Sequence, residues 1–209
     1  MALNNMHVKE IDKNLYCKWM SGHGTFARMG VQGDGSCFFH SCCALLNKKN
    51  YLFLSNDEQK EIAYEFRCEF TKKFTLNDYN ELKTSETKDF ESAKDGFCIP
   101  KTWADEMMIK FASRVLNLNL IFLDLKNNKA YCGVHGQETI DSMFKDKMIH
   151  QNMGLVAWVD RSHFEPFVRV DDANTGLITT IFEPSKNQKD LEFTRALVGE
   201  YMSGCKIKK

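Results

Sequence analysis

The chain has 209 residues, 43% of them hydrophobic, with 28 basic and 28 acidic side chains that cancel to a formal net charge of zero. That length and apolar content suit one domain with a sizeable core and exclude wholesale disorder. Charge neutrality argues against a chain built around nucleic-acid phosphates, and no run approaches the ~20 apolar residues a membrane helix needs.

The first thirty residues read as an arm. Leu15-Tyr16-Cys17-Lys18-Trp19-Met20 is aromatic enough to pack on the domain, and Ser21-Gly22-His23-Gly24 reads as a turn. His7 and His23 stand beside no nucleophile motif and are set aside as catalytic candidates. No apolar signal core follows Met1, so the eight cysteines are expected as free thiols of a cytoplasmic or nuclear protein.

Gln32-Gly33-Asp34-Gly35-Ser36-Cys37-Phe38-Phe39-His40-Ser41-Cys42-Cys43 is the most informative stretch. Its glycines permit positive φ and close backbone approach. Phe38, Cys42, Leu45 and Leu46 then recur at one-face helical spacing, which puts Cys37 at a helix N-terminus. Unpaired N–H groups and the helix dipole there favour a thiolate and bring a cysteine pKa down toward ~7. The same groups suit a tetrahedral oxyanion. Asp34 has three candidate jobs: bracing the loop, shaping the oxyanion hole through its backbone, or forming a turn. Cys42, Cys43, Cys68 and Cys132 read as small buried hydrophobes. Zinc is disfavoured, because Cys37, His40, Cys42 and Cys43 diverge around a helix and no separated Cys-x2-Cys pairs exist.

Further along, Ser55-Asn56-Asp57-Glu58 has capping-box form and opens a helix carrying Ile62, Phe66 and Phe70. Residues 76–100 are charge-dense and read as a solvated face or loop. Thr102 reads as the N-cap of a helix presenting Met108, Phe111, Ala112 and Val115. Leu118 to Leu125 reads as a buried strand and Ala130 to Cys132 as its return, with a short amphipathic segment over 139–150. Leu155–Val159 and His163–Val170 then form a hairpin across Asp160-Arg161-Ser162, which presents His163 at a strand start. Alternation puts Glu165 on the same face as His163, where a carboxylate orients an imidazole; Asp160 and Asp171 are the fallback orienters. Leu177–Phe182 reads as a strand and Asp190–Met202 as a terminal helix.

Cysteine, histidine and an acidic orienter are the parts of a thiol hydrolase. Asp34-Gly35-Ser36-Cys37-Phe38-Phe39, Trp103-Ala104-Asp105-Glu106 and His163-Phe164-Glu165 resemble, in order, the three signature blocks of the OTU (ovarian tumour) cysteine proteases. The resemblance covers roughly Val31 to Val170, which leaves 1–30 as an N-terminal arm and 171–209 as a C-terminal extension of one catalytic domain. It implies an α+β, papain-like fold, with a central twisted, mainly antiparallel sheet flanked by helices. It implies a deubiquitinase that cuts isopeptide or peptide bonds after the C-terminal glycine of ubiquitin or a ubiquitin-like modifier. In it Cys37 is the nucleophile, His163 the base, Glu165 the orienter, and the loop from Asp34 to Cys37, with Gly35 and Ser36, stabilises the oxyanion. The family more often has Asp or Asn where Glu165 stands, so reach and angle differ. Trp103 would lie near the cleft, and Glu86 and Asp89 are candidates to pair with arginines of the ubiquitin tail. No metal or cofactor is implied, and a monomer is expected. The alternative is a ubiquitin-binding module of the same fold that is catalytically weak or inactive.

Overall fold

The structure is a computed structural model that describes residues 5–7, 16–17, 25–85, 88–127, 129–132, 152–160, 162–172 and 174–202. The segment expected over 139–150 lies outside them. The described strands are β1 (Asn5–His7), β2 (Tyr16–Cys17), β3 (Thr25–Arg28), β4 (Leu118–Asp124), β5 (Lys129–Cys132), β6 (Asn152–Val159), β7 (His163–Asp172), β8 (Leu177–Thr179) and β9 (Ile181–Phe182). The helices are α1 (Cys37–Leu45), α2 (Asn56–Lys73), α3 (Leu76–Leu82), α4 (Phe90–Cys98), α5 (Glu106–Leu116) and α6 (Gln188–Met202).

All nine described strands belong to one sheet, whose main path runs β1-β8-β7-β6-β4-β5. Only β4 and β6 pair in parallel; the other pairings are antiparallel. The reason β4 is buried along its whole length is that both of its faces are covered. Leu118, Leu120 and Phe122 face the cluster built with α1 to α5, while Ile121 and Leu123 join Phe26, Phe167, Phe182 and Phe193 on the other side. Phe193 comes from α6, so the C-terminal helix closes that second face. β3, β8 and β9 are integral to the sheet and lie outside the 31–170 stretch that the motif blocks cover.

Several local expectations change. Residues α1 buries are not one stripe but all nine, Cys37 to Leu45, because the helix runs between the sheet and the α2–α5 layer. The charge-dense 76–100 stretch is not a loop: it contains α3 and α4, which bury Leu82, Ala93 and Phe97 beneath their polar faces. The helix after Trp103 is capped by Asp105, whose side chain accepts from the Met108 N–H, and not by Thr102. Cys68 and Cys98 are joined in a disulfide that links α2 to the end of α4, where free thiols were expected; Cys37, Cys42 and Cys43 are free. Ser55 and Glu58 do form the expected capping box. Among the described residues, no helix is long and apolar enough to cross a membrane.

Candidate active site

Gly35 makes the nucleophile loop possible. Its φ is +85°, and a Cβ there would stand 2.6 Å from the Lys101 Cα, so only glycine lets the loop lie on the Lys101 backbone. Asp34 then braces the turn. Its Oδ1 accepts from the Ser36 N–H at 2.9 Å, and its Oδ2 pairs with His40 Nε2 at 3.1 Å. His40 is fully buried and meets the Tyr51 hydroxyl through Nδ1. The tautomer that satisfies both contacts has Nε2–H donating to Asp34 and Nδ1 accepting from Tyr51. Burial lowers the His40 pKa, against an opposing pull from Asp34, which keeps that neutral form in place.

Cys37 opens α1 and is 7% exposed. Ser36, the N-cap, makes no side-chain cap, because its Oγ accepts from Arg67 Nη1 at 2.8 Å. The first-turn N–H groups therefore stay available at the sulfur. The dipole does not make the thiol acidic, as the position alone predicts. Burial pushes the Cys37 pKa up; the N–H groups of Phe164, Phe38 and Cys37 itself pull it down by less, and the Asp34 carboxylate adds to the rise.

The Ser41 hydroxyl of α1 donates to the Phe164 carbonyl at 3.0 Å, which joins the nucleophile's helix to the histidine's strand, since Phe164 directly follows His163. The β6–β7 register sets Val159 opposite His163 and Ala157 opposite Glu165, across a turn in which Asp160 has φ +48°. His163 thus leaves the turn at the first position of β7, half-buried, on the same face as Glu165. Its Nε2 lies 3.7 Å from Glu165 Oε1, an ion-pair separation and longer than a hydrogen bond. Glu165 Oε2 sits 3.3 Å from Arg28 Nη1 without hydrogen-bond alignment, and has no hydrogen-bond partner among the described residues. Of the fallback orienters, Asp160 is exposed in the turn and Asp171 is engaged by Arg169, Thr179 and Lys189.

Trp103 is 60% exposed, two residues beyond the Lys101 backbone that abuts Gly35. Asp89 is spent as the α4 N-cap, accepting from the Ser92 N–H at 3.1 Å and the Ser92 hydroxyl at 2.8 Å. Glu86 lies outside the described residues. The Ser36 N–H is committed to Asp34, so within the Gly35–Ser36 pair the serine serves the loop and not an oxyanion. Among the described residues, no group of three or more His, Cys, Asp or Glu gathers as a metal site. Tyr51, Arg28 and Arg67 are the residues at the site that had escaped the sequence reading. Arg28 carried no signal. Arg67 carried one: a charge inside the stripe of Ala63, Phe66 and Phe70 that α2 buries.

An OTU domain solved in complex with ubiquitin is similar in structure to this chain, with 15% identity, 98% of this chain and 97% of that chain covered, and a TM-score of 0.58. The OTUD1 OTU domain aligns at 13% identity over 68% of this chain and 85% of that chain, with a TM-score of 0.45. The Hazara virus OTU bound to ubiquitin aligns at 15% identity over 70% and 83%, with a TM-score of 0.44. No family model matches the sequence, and no curated protein matches it. The class defined by sheet and helices is mixed α/β, a central sheet flanked by helices. More particularly, the chain has the OTU fold.

Proposed function

We propose that the protein is a thiol-dependent deubiquitinase, cutting isopeptide or peptide bonds after the C-terminal glycine of ubiquitin or a ubiquitin-like modifier. The observation that carries this reading is the 3.0 Å hydrogen bond from the Ser41 hydroxyl to the Phe164 carbonyl, which ties the helix that Cys37 opens to the strand that begins with His163. Cys37 attacks the glycine carbonyl. His163 takes the thiol proton and gives it to the leaving amine, then serves as base when water hydrolyses the thioester. Since Nε2 is turned toward Glu165, Nδ1 is the nitrogen that serves the sulfur. Glu165, itself held by Arg28, keeps the ring turned. The Cys37 N–H, at the first helical position, has no helix acceptor and supports the oxyanion. Every part is a protein group, so the steps as written use no metal or cofactor. Its partner in this reading is ubiquitin or polyubiquitin, met as a monomer in the cytoplasm or nucleus, with Trp103 at the cleft.

One observation favours a second reading, a ubiquitin-binding module with weak or no activity: burial disfavours the Cys37 thiolate in the unliganded chain. A ubiquitin probe with a C-terminal electrophile separates the two. The hydrolase gains one ubiquitin on Cys37, and Cys37→Ala and His163→Ala do not. Ubiquitin affinity without adduct establishes the second reading, and neither affinity nor adduct refutes both.

A further inference from the structure

Arg67 is 0% exposed, and among the described residues no carboxylate lies within ion-pair distance of it. Each nitrogen of its guanidinium nonetheless has an acceptor. Nε donates to the Phe97 carbonyl at 2.8 Å, Nη2 to the Gly96 carbonyl at 3.2 Å, and Nη1 to Ser36 Oγ at 2.8 Å. The group lies over the Phe39 ring at 4.6 Å. Two of these acceptors are carbonyls of the last turn of α4, which lack helix partners and carry the negative end of its dipole. The third belongs to the residue before Cys37.

Every acceptor is neutral. A tie between α2, α4 and the loop could be made by a neutral donor, and burying a full charge without a counter-ion is costly. The charge therefore calls for an anion that appears only in action. Three groups are near enough for Arg67 to feel their negative charge: the Asp34 carboxylate, and the Cys37 sulfur and the Tyr64 phenol once ionised, the phenol being neutral at pH 7. Asp34 is already engaged with His40 and the Ser36 N–H. The sulfur is the group left with a charge to be met.

We propose that Arg67 is a positioning residue that holds the nucleophile loop through Ser36 and supplies the buried cation against which the Cys37 thiolate forms. The inference rests on reading Cys37 as the nucleophile. Titratable and charged groups surround the nucleophile loop from every side: Asp34 within it, His40 from α1, Lys60, Tyr64 and Arg67 from α2, Lys101 from the facing loop, and His163 and Glu165 from β7. Of these, only Arg67 is a permanent cation held wholly in the interior.

The test is the pH profile of Cys37 alkylation by iodoacetamide, read at the peptide level by mass spectrometry in the full chain. Arg67→Met should raise the midpoint by about one pH unit and slow alkylation at pH 7 by about tenfold. Arg67→Lys, which keeps the charge but not the fork, should recover part of the shift. An Arg67→Met chain that melts earlier but alkylates with the wild-type midpoint overturns the proposal, since a purely structural tie behaves that way. If Arg67→Met does not fold, Ser36→Ala decides: it keeps the guanidinium and cuts the link. Alkylation slowed at least ~3-fold at pH 7 supports the proposal, and an unchanged profile overturns it. Iodoacetamide involves no ubiquitin. A shifted midpoint in a chain that leaves the ubiquitin probe unreacted keeps Arg67 and removes the hydrolase reading, while adduct formation with an unshifted midpoint does the reverse.

Discussion

Ser41 and Phe164 are joined by a hydrogen bond of 3.0 Å, in which the buried hydroxyl of α1 donates to the strand's carbonyl. The N–H of the same Phe164 is among the groups that pull the Cys37 pKa down. On an antiparallel strand a residue's N–H and C=O point the same way. Phe164 therefore turns both toward α1, along an edge of β7 that β3 leaves open, because β3 pairs only with Phe167 to Val170. The helix replaces the missing strand there, and in doing so it sets the distance between nucleophile and base. Ser41→Ala should therefore cost about 1–3 kcal/mol, the penalty for leaving a buried carbonyl unmet, and should lower kcat as well. Urea denaturation and turnover of a fluorogenic ubiquitin substrate read the two effects; a chain equally stable and equally fast would show the latch to be idle.

Gly35→Ala should be more damaging. The added methyl meets the Lys101 backbone, and φ at +85° adds strain of ~1–3 kcal/mol that an alanine cannot relieve. Because Lys101 itself holds φ +65°, the two loops have little freedom to separate. Loss of probe labelling with α-helical content retained is the expected result. Labelling at the wild-type rate would show that the loop conformation is not needed.

Glu165 acts on His163 across 3.7 Å, as a charge and not as a hydrogen-bond acceptor. Glu165→Gln should accordingly lower kcat by roughly tenfold, well short of the ~10²–10⁴-fold expected of His163→Ala. Arg28→Ala releases the other carboxylate oxygen and should mimic part of the Glu165→Gln loss with little change in KM. A Glu165→Gln enzyme as impaired as His163→Ala would mean that the pair closes to hydrogen-bond distance when substrate binds.

Those contacts show how unevenly the site could be read in the sequence. The period-two pattern of β7 places His163 with Glu165, and the glycine-flanked approach to an apolar run places Cys37 at a helix start. Both follow from spacing over a few residues. Arg28 was illegible because its partner lies far along the chain, and β3 itself is only four residues long. In α3 and α4, Leu82 and Phe97 are hidden among charges that occupy the solvent faces, so polarity outweighed period. Thr102 and Asp105 are both cap-type residues; only the Asp105 bond to the Met108 N–H decides between them. The depth at which α1 lies, which is what raises the Cys37 pKa, depends on helices that pack from elsewhere in the sequence.

The Cys68–Cys98 disulfide closes a sequence separation of 30 residues. In the chain-entropy view such a loop stabilises by about 3–4 kcal/mol through the unfolded state. Cys68→Ser/Cys98→Ser should lower the urea midpoint, and dithiothreitol should do the same to the wild-type chain but not to the variant. A reductant effect of equal size in both would place the sensitivity elsewhere.

Stability should fall in two steps on acidification, and different residues set each. His40 has its pKa lowered by burial, against Asp34, so folding favours its neutral form. The stability this gives is full above the unfolded value of about 6.5 and is lost as pH drops below it. Asp171 behaves as the second step. Burial alone would raise its carboxyl, but Thr179, Lys189 and Arg169 outweigh that and hold it below the ordinary range. Asp34 and Asp78 are depressed too: burial is overcome at Asp34 by Ser36 and His40, and at Asp78 by Thr75 and Arg114. A depressed carboxylate stabilises above about pH 4 and loses that contribution as pH falls through its folded value. Urea midpoints measured from pH 7 to pH 3 should therefore decline first for His40. His40→Gln, which keeps a donor for Asp34, should flatten the slope between about pH 6.5 and 5 and leave the lower limb intact. Asp171→Asn should flatten only the limb below about pH 4. A single decline, unchanged by His40→Gln, would mean that the buried imidazole takes up its proton without loosening the contacts with Tyr51 and Asp34.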